Sequence, residues 1–356
     1  MNKIKTVNAK ITKLNNDIVI RCLTKPYYGL GHFRRCLTLA NELQHIGYQV
    51  HFIVTKNKIV EKELQNNFQF FTIPSFSKPE LESKTISDII NTHNYEWLII
   101  DMREFGENIS KELMNKIHTV LIDDAWTKNV YSNLIFNGTM IKKYHNYHKI
   151  NKNSKIFTGT SFFIIDKSFL KHKKKSSEII KKKQYNVTIS TGGTDPNNVT
   201  LLVIKSIISI PNINIKIVIG PYSKSLNKIS QIIKNKKNVQ IILSPKKIWN
   251  TFKKADIIIS NAGSTLFELA TQNIPTLSIA AEEHQISYAK FFSSKGFSIY
   301  LGFWRSLNSN KISKILSNTL YNRSTRIQIS KQGHKIIDGK GVINVAKEID
   351  RSIKSN

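Results

Sequence analysis

The chain has 356 residues, which is too long for one compact core and predicts two domains. Apolar residues form 40% of the sequence, a share typical of a globular protein. The net charge of +30 would suit nucleic acid or anionic lipid as a partner. Because the lysines are dispersed along the whole chain among abundant Ile and Asn, we expect no nucleic-acid partner.

The cysteines and the apolar segments indicate the compartment. Cys22 and Cys36 are the two cysteines, and they lack metal-ligand spacing, which favours a reduced cytosolic environment. No segment approaches the ~20 apolar residues that span a bilayer, and the amino terminus lacks an apolar signal core. We therefore expect a soluble cytoplasmic protein without a metal ion or cofactor. Peripheral contact with an anionic membrane is a hypothesis from the charge, and the sequence indicates no oligomeric state.

Predicted strands and helices alternate along the chain, which favours an α/β architecture with parallel sheets. The strands predicted in the first half are Ile18–Cys22, Gln49–Val54, Trp97–Ile100, Thr119–Ile122 and Leu134–Phe136. The clearest helix runs from His32 to Ile46, where Phe33, Leu37, Leu39, Ala40 and Leu43 share one face, and Gly47 ends it. The segment 1–16 is polar and lysine-rich and receives no assignment.

A lysine-rich segment from Lys171 to Lys183 separates the halves and is interpreted as a solvated linker. The strands predicted after it are Asn186–Ser190, Lys216–Ile219, Val239–Leu243, Asp256–Ser260 and Thr276–Ile279. The sequence thus predicts two doubly wound Rossmann-like domains facing a cleft. The predicted divisions are an acceptor and catalytic domain (1–166), a basic linker (167–184), a nucleotide-binding domain (185–335) and a C-terminal helix (336–356) that docks back on the first domain.

Two glycine loops follow predicted strands of the second half. One contains Gly192, Gly193 and Thr194, and the other contains Gly263, Ser264 and Thr265 at the start of a helix. The first amides of a helix lack intrahelical acceptors and bind phosphate readily. Glu268, one turn later, could reach the hydroxyls of a ribose. Each loop alone is also compatible with a tight βα turn, but together they favour a nucleotide diphosphate.

The loop after the first strand contains Gly29 and Gly31 before His32, which we expect at the mouth of the cleft. It lacks the third glycine of the dinucleotide fingerprint, and no acidic residue ends the second strand, so a nicotinamide site is excluded. Asp101, Asp123 and Asp124 end strands of the same domain and could orient His32, contact a sugar or serve as turn residues. Glu282 to Gln285 could contact a sugar or cap a helix.

These motifs resemble the PseG/SpsG family, whose type member is the UDP-sugar hydrolase of pseudaminic acid synthesis and which is similar to MurG-type glycosyltransferases of the GT-B fold. The matching segments are Gly29 to Ala40, Leu98 to Asp101, Ile122 to Asp124, Gly192 to Asp195, and Gly263 to Ala270 with Gln285. This chain departs from the hydrolase at Asp101-Met102-Arg103, where the family has Asp-His-Tyr, and at His284-Gln285, where it has Asn-Gln.

The resemblance implies a UDP-sugar substrate and a role for each matching residue. His32 would be the catalytic base acting on water. The nucleotide-binding residues would be Gly192, Gly193, Thr194, Gly263, Ser264, Thr265 and Glu268. The sugar-side loops would contribute Gly29, Gly31, Arg35, Asp101, Arg103, Glu283, His284 and Gln285.

Three hypotheses follow. The first is a UDP-sugar hydrolase that inverts the anomeric carbon, in a surface-glycan or nonulosonic acid pathway. The second is an inverting, metal-independent GT-B glycosyltransferase with the same donor site and a hydroxyl acceptor. The third is a basic nucleic-acid-binding protein, which leaves the glycine loops and His32 unexplained.

Overall fold

The computed structural model describes residues 16–355, which divide into two compact units. The first unit extends to Ile164 and takes up the chain again at Lys340, and the second spans Ile165–Gly339. All but the last residue of the unassigned segment 1–16 lies outside the described part. Among the described residues, no helix combines the length and apolarity needed to cross a membrane.

The first unit is built on a seven-stranded parallel sheet with the order β3-β2-β1-β4-β5-β7-β9. Its strands are β1 (Asp17–Cys22), β2 (Gln49–Thr55), β3 (Gln69–Ile73), β4 (Trp97–Asp101), β5 (His118–Ile122), β7 (Leu134–Asn137) and β9 (Lys155–Thr158), and the short strands β6 (Asn129–Val130) and β8 (His148–Lys149) pair separately. The helices are α1 (Gly31–His45), α2 (Lys58–Leu64), α3 (Pro79–His93) and α4 (Gly106–Leu113). All five residues of β4 are buried, as expected for a parallel strand covered on both faces.

The second unit is built on a six-stranded parallel sheet with the order β12-β11-β10-β13-β14-β15. Its strands are β10 (Tyr185–Ser190), β11 (Ile213–Ile219), β12 (Val239–Leu243), β13 (Ile257–Asn261), β14 (Thr276–Ala280) and β15 (Ser298–Phe303). Its helices are α5 (Lys167–Lys171), α6 (Val199–Ile207), α7 (Leu226–Ile233), α8 (Ile248–Lys253), α9 (Ser264–Gln272), α10 (Glu283–Ser294), α11 (Ser309–Tyr321), α12 (Arg323–Ser330) and α13 (Gly333–Ile336).

Both sheets have the strand order of doubly wound Rossmann-like folds, which confirms the predicted α/β class. In each sheet the order of connection reverses next to the first strand, between β1 and β4 and between β10 and β13. The loops that leave two neighbouring strands at such a point diverge to opposite faces and open a crevice beyond the carboxyl ends. These two crevices are where the candidate site residues lie.

The last helix, α14 (Gly341–Lys354), belongs to the first unit. It buries an apolar face in the core under α1 and β2, through Val342, Val345, Ala346 and Ile349. The Tyr48 hydroxyl donates a hydrogen bond of 2.8 Å to Asp350. The chain therefore leaves the first unit, builds the second and returns to complete the core of the first.

Most lysines of the basic segment 167–184 are exposed, as expected, but parts of the segment pack within the second unit. It contains α5, and Lys174 is buried, with its Nζ donating to the carbonyl oxygen of Ala255. Lys182 Nζ lies 2.8 Å from Asp256 Oδ1, just before β13. The composition of the segment predicted a solvated linker, but the contacts of Lys174 and Lys182 and the buried Ile179 hold it within the second unit.

Candidate functional site

The first unit brings His32 and Asp101 together at the reversal of its strand order. His32 is the second residue of α1, which follows β1, and Asp101 is the last residue of β4. Because β1 and β4 are neighbours, with Cys22 opposite Asp101, the loop after one strand reaches the end of the other. His32 Nδ1 lies 2.7 Å from Asp101 Oδ1, although the two residues are 69 positions apart.

Arg35 closes the same cluster from the next turn of α1. Its guanidinium donates to both Asp101 oxygens, with Nη2 2.7 Å from Oδ1 and Nε 2.8 Å from Oδ2. Its third nitrogen, Nη1, donates to Asp124 Oδ1 at 2.7 Å. The Cys36 thiol adds a contact of 3.3 Å to Asp101 Oδ2. Asp101 is therefore a buried acceptor with donors on both oxygens, and Arg35 fixes it in place.

Electrostatics settle the protonation of the His32–Asp101 contact. Burial by itself would raise the pKa of Asp101, but the charges and hydrogen bonds of Arg35 and His32 outweigh it and hold that pKa below its usual range. An ionised carboxylate only accepts hydrogen bonds, so the proton of the 2.7 Å contact resides on His32 Nδ1. The Nε2 atom is then the ring nitrogen that does not contact Asp101. With 17% of its side chain exposed, His32 remains accessible to a small reactant.

A second buried carboxylate supports the loop after β5. Asp123 accepts hydrogen bonds from the Tyr147 hydroxyl at 2.8 Å and from the amides of Trp126 and Thr127, both at 3.1 Å. Burial raises the pKa of Asp123 to about 6, with a further upward contribution from Asp124. Asp123 is thus a turn-forming residue, whereas Asp124 is the one that contacts Arg35.

Nowhere in residues 16–355 do three His, Cys, Asp or Glu side chains gather as a metal ion would require.

The other sequence-predicted residues of the first unit border this cluster. Gly29 has a φ of 74°, a conformation that favours glycine, and it turns the chain from β1 into α1. Gly31 is exposed and begins α1. Arg103 lies two residues beyond Asp101, and its guanidinium carbon is 4.4 Å from the centre of the Trp126 ring.

In the second unit, the loop of Gly192, Gly193 and Thr194 follows β10. Gly192 has a φ of 106°, and a Cβ added there would lie 3.0 Å from Asn261 Nδ2, at the end of β13. A Cβ on Gly220, after β11, would lie 2.3 Å from the Gly193 carbonyl oxygen. The loops after β10 and β11 therefore meet with backbone in contact with backbone at Gly193 and Gly220, which only glycine permits, and the Asn261 side chain after β13 packs against Gly192.

The second glycine loop leads into α9. Gly263 precedes the helix, Ser264 is its exposed first residue, and Thr265 follows. The first amides of α9 therefore point away from the helix at the carboxyl edge of the sheet, where they can bind an anion.

Glu268 lies one turn into α9. Burial, followed by the charge of Asp166, raises the pKa of Glu268 to about 7. Although the side chain is partly exposed, its carboxylate accepts no hydrogen bond from residues 16–355 that would lower this pKa. A ligand hydroxyl would supply such a donor.

The segment after β14 contains three predicted site residues, and the structure places only one of them against a glycine loop. Gln285 is buried, its Oε1 accepts from the Ala281 amide at 2.9 Å, and its Nε2 lies near Gly263. Glu283 begins α10, and His284 Nδ1 lies 3.5 Å from Glu282 Oε2. Gln285 therefore braces the second glycine loop, while Glu283 and His284 face outward at the helix start.

The sequence missed three contributors to these sites. Asn261 and Gly220 shape the first glycine loop, and Trp126 packs against Arg103. The position of Gly220 directly after a strand was a usable signal, because the glycines that were chosen share it. Nothing in the local sequence indicated Trp126, which approaches Arg103 only through the pairing of β4 with β5.

Comparisons with known proteins agree with this geometry. Residues 156–341, more than half of the chain, match the glycosyltransferase family 28 C-terminal domain. The spore coat polysaccharide biosynthesis protein SpsG of Bacillus subtilis is 25% identical over 279 residues, which cover 75% of this chain and 80% of that protein. The UDP-2,4-diacetamido-2,4,6-trideoxy-beta-L-altropyranose hydrolase of Campylobacter jejuni is 22% identical over 290 residues, covering 79% and 98%. The resemblance to the PseG/SpsG family is thereby confirmed.

Among solved structures, MurG of Acinetobacter baumannii superposes with a TM-score of 0.67 at 14% identity, over 94% of this chain and 99% of that one. Such a likeness shows the fold, which is the two-domain Rossmann-like GT-B fold. Through the domain matched by residues 156–341, the chain belongs to the glycosyltransferase family 28 proteins.

Proposed function

We propose that the chain cleaves the bond between the anomeric carbon and the diphosphate of a UDP-sugar, with water as the acceptor. The observation that carries this function is the hydrogen-bonded series Arg35–Asp101–His32, which orients the imidazole through Nδ1 and leaves Nε2 outside the contact with Asp101. The name of the Campylobacter jejuni relative supports a UDP-sugar hydrolase, and that of the Bacillus subtilis relative supports a role in surface polysaccharide synthesis.

The reaction follows from the imidazole. The water oxygen attacks the anomeric carbon while His32 Nε2 takes its proton, and the bond from that carbon to the diphosphate oxygen breaks with its electron pair leaving on UDP. Attack opposite to the leaving group inverts the anomeric carbon. Asp101 stabilises the imidazolium that forms, and a positioned general base of this kind accelerates a reaction roughly 10²–10⁴-fold.

The second unit would hold the leaving group. The first amides of α9 and the loop of Gly192 and Gly193 are oriented donors for the diphosphate, and each donor of this type is worth about 3 kcal/mol when charge develops on the leaving group. Ser264 and Thr265 add hydroxyls. Glu268 would accept hydrogen bonds from the two ribose hydroxyls, which supplies the missing partners of that carboxylate.

Turnover in ¹⁸O-labelled water tests the reaction. We expect one ¹⁸O in the released sugar and none in UDP, since the carbon–oxygen bond breaks, and NMR should detect the inverted anomer first. His32→Ala should abolish turnover while UDP binds with unchanged affinity. The matched control is His45→Ala, an exposed histidine at the other end of α1, which should be silent. Label in UDP, or activity in His32→Ala, would contradict the assignment.

An inverting glycosyltransferase is the second candidate. It uses the same donor site and the same base, with an acceptor hydroxyl in place of water. The observation that favours it is a pair of exposed aromatic side chains, Tyr27 and Trp126, on loops that leave β1 and β5 at the same edge of the sheet as His32, and water alone does not require them. Absence of free sugar with water alone, together with UDP release when a saccharide acceptor is added, would decide for transfer.

A further inference from the structure

Three neighbouring loops of the first unit form a partly exposed aromatic surface, named here the Tyr-Arg-Trp surface. Its members are Tyr27 and Tyr28 after β1, Arg103 after β4 and Trp126 after β5. These strands are consecutive in the sheet, so the three loops are adjacent at its carboxyl edge.

Arg103 lies at the centre of the contacts within this surface. The Arg103 guanidinium carbon is 5.5 Å from the centre of the Tyr28 ring and 4.4 Å from that of Trp126. Tyr27 packs edge-on against Tyr28, with 5.1 Å between ring centres. The Tyr28 hydroxyl also donates to Glu104, which fixes the ring. The surface is therefore a defined arrangement, held by cation–π contacts, rather than a set of independent side chains.

Two of these rings are open to water. Tyr27 is 77% exposed and Trp126 is 43% exposed. Large aromatic rings that are open to water and form a contiguous patch typically serve as contact surfaces for a ligand. A stack with a purely structural role would be complete with Arg103 between Tyr28 and Trp126, and would leave no reason for Tyr27 to project.

The surface borders the proposed catalytic base. Arg103 comes two residues after Asp101, which contacts His32, and Trp126 comes two residues after Asp124, which contacts Arg35. Two residues of extended chain span at most about 7 Å. The loops that carry Arg103 and Trp126 therefore start next to the residues that contact His32 and Arg35.

We propose that the Tyr-Arg-Trp surface is a saccharide subsite, an assignment that rests on the proposed function. A pyranose has one face of C–H groups, which packs on an exposed aromatic ring, while its hydroxyls and any carboxylate or acetamido oxygen accept hydrogen bonds from the guanidinium of Arg103. The sugar comes from one of two sources, the nucleotide sugar itself or a saccharide acceptor, and both offer the same chemistry. Arg103 stands where the resembled hydrolase family has Tyr, so the subsite would select a different sugar.

Calorimetry on the full chain separates the two sources. The probes are UDP, a panel of UDP-glucose, UDP-N-acetylglucosamine and UDP-glucuronate, and chitotriose as a free saccharide. Trp126→Ala should weaken the tightest sugar-bearing probe by about tenfold, and Trp126→Phe should restore most of the affinity, because it retains a ring. Loss confined to the UDP-sugars identifies the donor sugar, and loss confined to chitotriose identifies an acceptor. UDP itself should bind all variants equally.

A second Arg–Trp pair provides the matched control. In the second unit, Arg305 lies over Trp304 with 5.4 Å from its guanidinium carbon to the ring centre. Arg103→Ala should lower sugar affinity, and Arg305→Ala should not.

The results that overturn the subsite are distinct from those that overturn the function. Equal affinity of wild type and Trp126→Ala for every sugar-bearing probe, or equal loss for UDP and UDP-sugars, would refute the subsite. Failure of the wild type to bind any UDP compound would instead refute the proposed function. Chitotriose binding that depends on Trp126 would support the subsite even then.

Discussion

Replacing Asp101 by Asn should remove the base function of His32 and lower stability at the same time. The substitution keeps the shape of the side chain but presents an amide where the carboxylate accepts from His32 and Arg35. Whichever way the amide is turned, an N–H group faces a donor, and the Nδ1 proton of His32 loses its ionic acceptor. The imidazole is then free to adopt the tautomer in which Nε2 carries the proton and cannot act as a base.

The magnitudes follow from burial. Removing one partner of a buried ion pair costs about 3–5 kcal/mol, and we expect the lower end because Arg35 retains Asp124. The pKa of Asp101 is lowered in the folded chain, so its stabilisation is fully present above the unfolded value of 3.8 and is lost as pH falls through the folded value. The difference between wild type and variant should therefore be largest at neutral pH. The turnover number should fall by roughly 10²–10⁴-fold.

The chain contains a matched control in the same unit. Glu82 is buried and paired with buried Arg21, with 2.8 Å between Oε1 and Nε. Arg21 keeps other acceptors, the carbonyl oxygens of Cys22 and Ile53. Glu82→Gln should lower the free energy of unfolding by about 3 kcal/mol while leaving the turnover number unchanged.

The assay is urea unfolding at pH 7 combined with UDP release from the UDP-sugar that the wild type cleaves. If Asp101→Asn loses stability as Glu82→Gln does but keeps full turnover, Asp101 is a structural residue and the assignment of His32 as its oriented base is wrong. A fall in turnover of the same size in Glu82→Gln would mean that activity simply follows stability.

Three further outcomes are expected. The folded-state pKa of Glu268 is about 7, above the unfolded value of 4.5, so the wild type loses stability as pH rises between these two values. The free energy of unfolding of Glu268→Gln should therefore rise by about 1–3 kcal/mol relative to that of the wild type between pH 5 and pH 8. A difference in stability that stays constant over this range would contradict the raised pKa. Gly192→Ala should weaken UDP binding and cost about 1 kcal/mol more than Gly159→Ala, which shares the positive φ but has open space around it; equal effects would exclude crowding at the loop. Tyr48→Phe should cost about 1–2 kcal/mol through the lost hydrogen bond to Asp350, and additivity with Asp350→Asn in a double-mutant cycle would show that the contact contributes nothing.

The central strands of both sheets were predictable from the sequence. A parallel strand covered on both faces consists of consecutive apolar residues, as in Trp97 to Ile100, and it is recognised wherever it occurs. The longer strands that were missed, β3, β9 and β15, all lie at sheet edges. An edge strand has one neighbour and is partly exposed, so its sequence mixes polar and apolar residues; β9, for example, has no fully buried residue.

Some residues of the candidate site could likewise be predicted from the local sequence, and others could not. The glycine loops were identifiable because their function depends on local backbone conformation, and Gly192 has the positive φ that only glycine adopts readily. His32 was identifiable from its place at the start of a helix after a strand. The partners of these residues were not, since Arg103 and Trp126 are separated by a strand and a helix and approach each other only when β4 pairs with β5.

The sequence by itself determined the α/β class, the two Rossmann-like halves and the loops proposed to carry the chemistry, because apolar runs and glycines act over a few residues. Only the tertiary structure decided that Asp101 is ionised, that it orients His32, and that Arg35 is shared between two carboxylates. Those properties depend on strand order and on burial, which bring together side chains up to 89 positions apart and remove the water that would otherwise screen them.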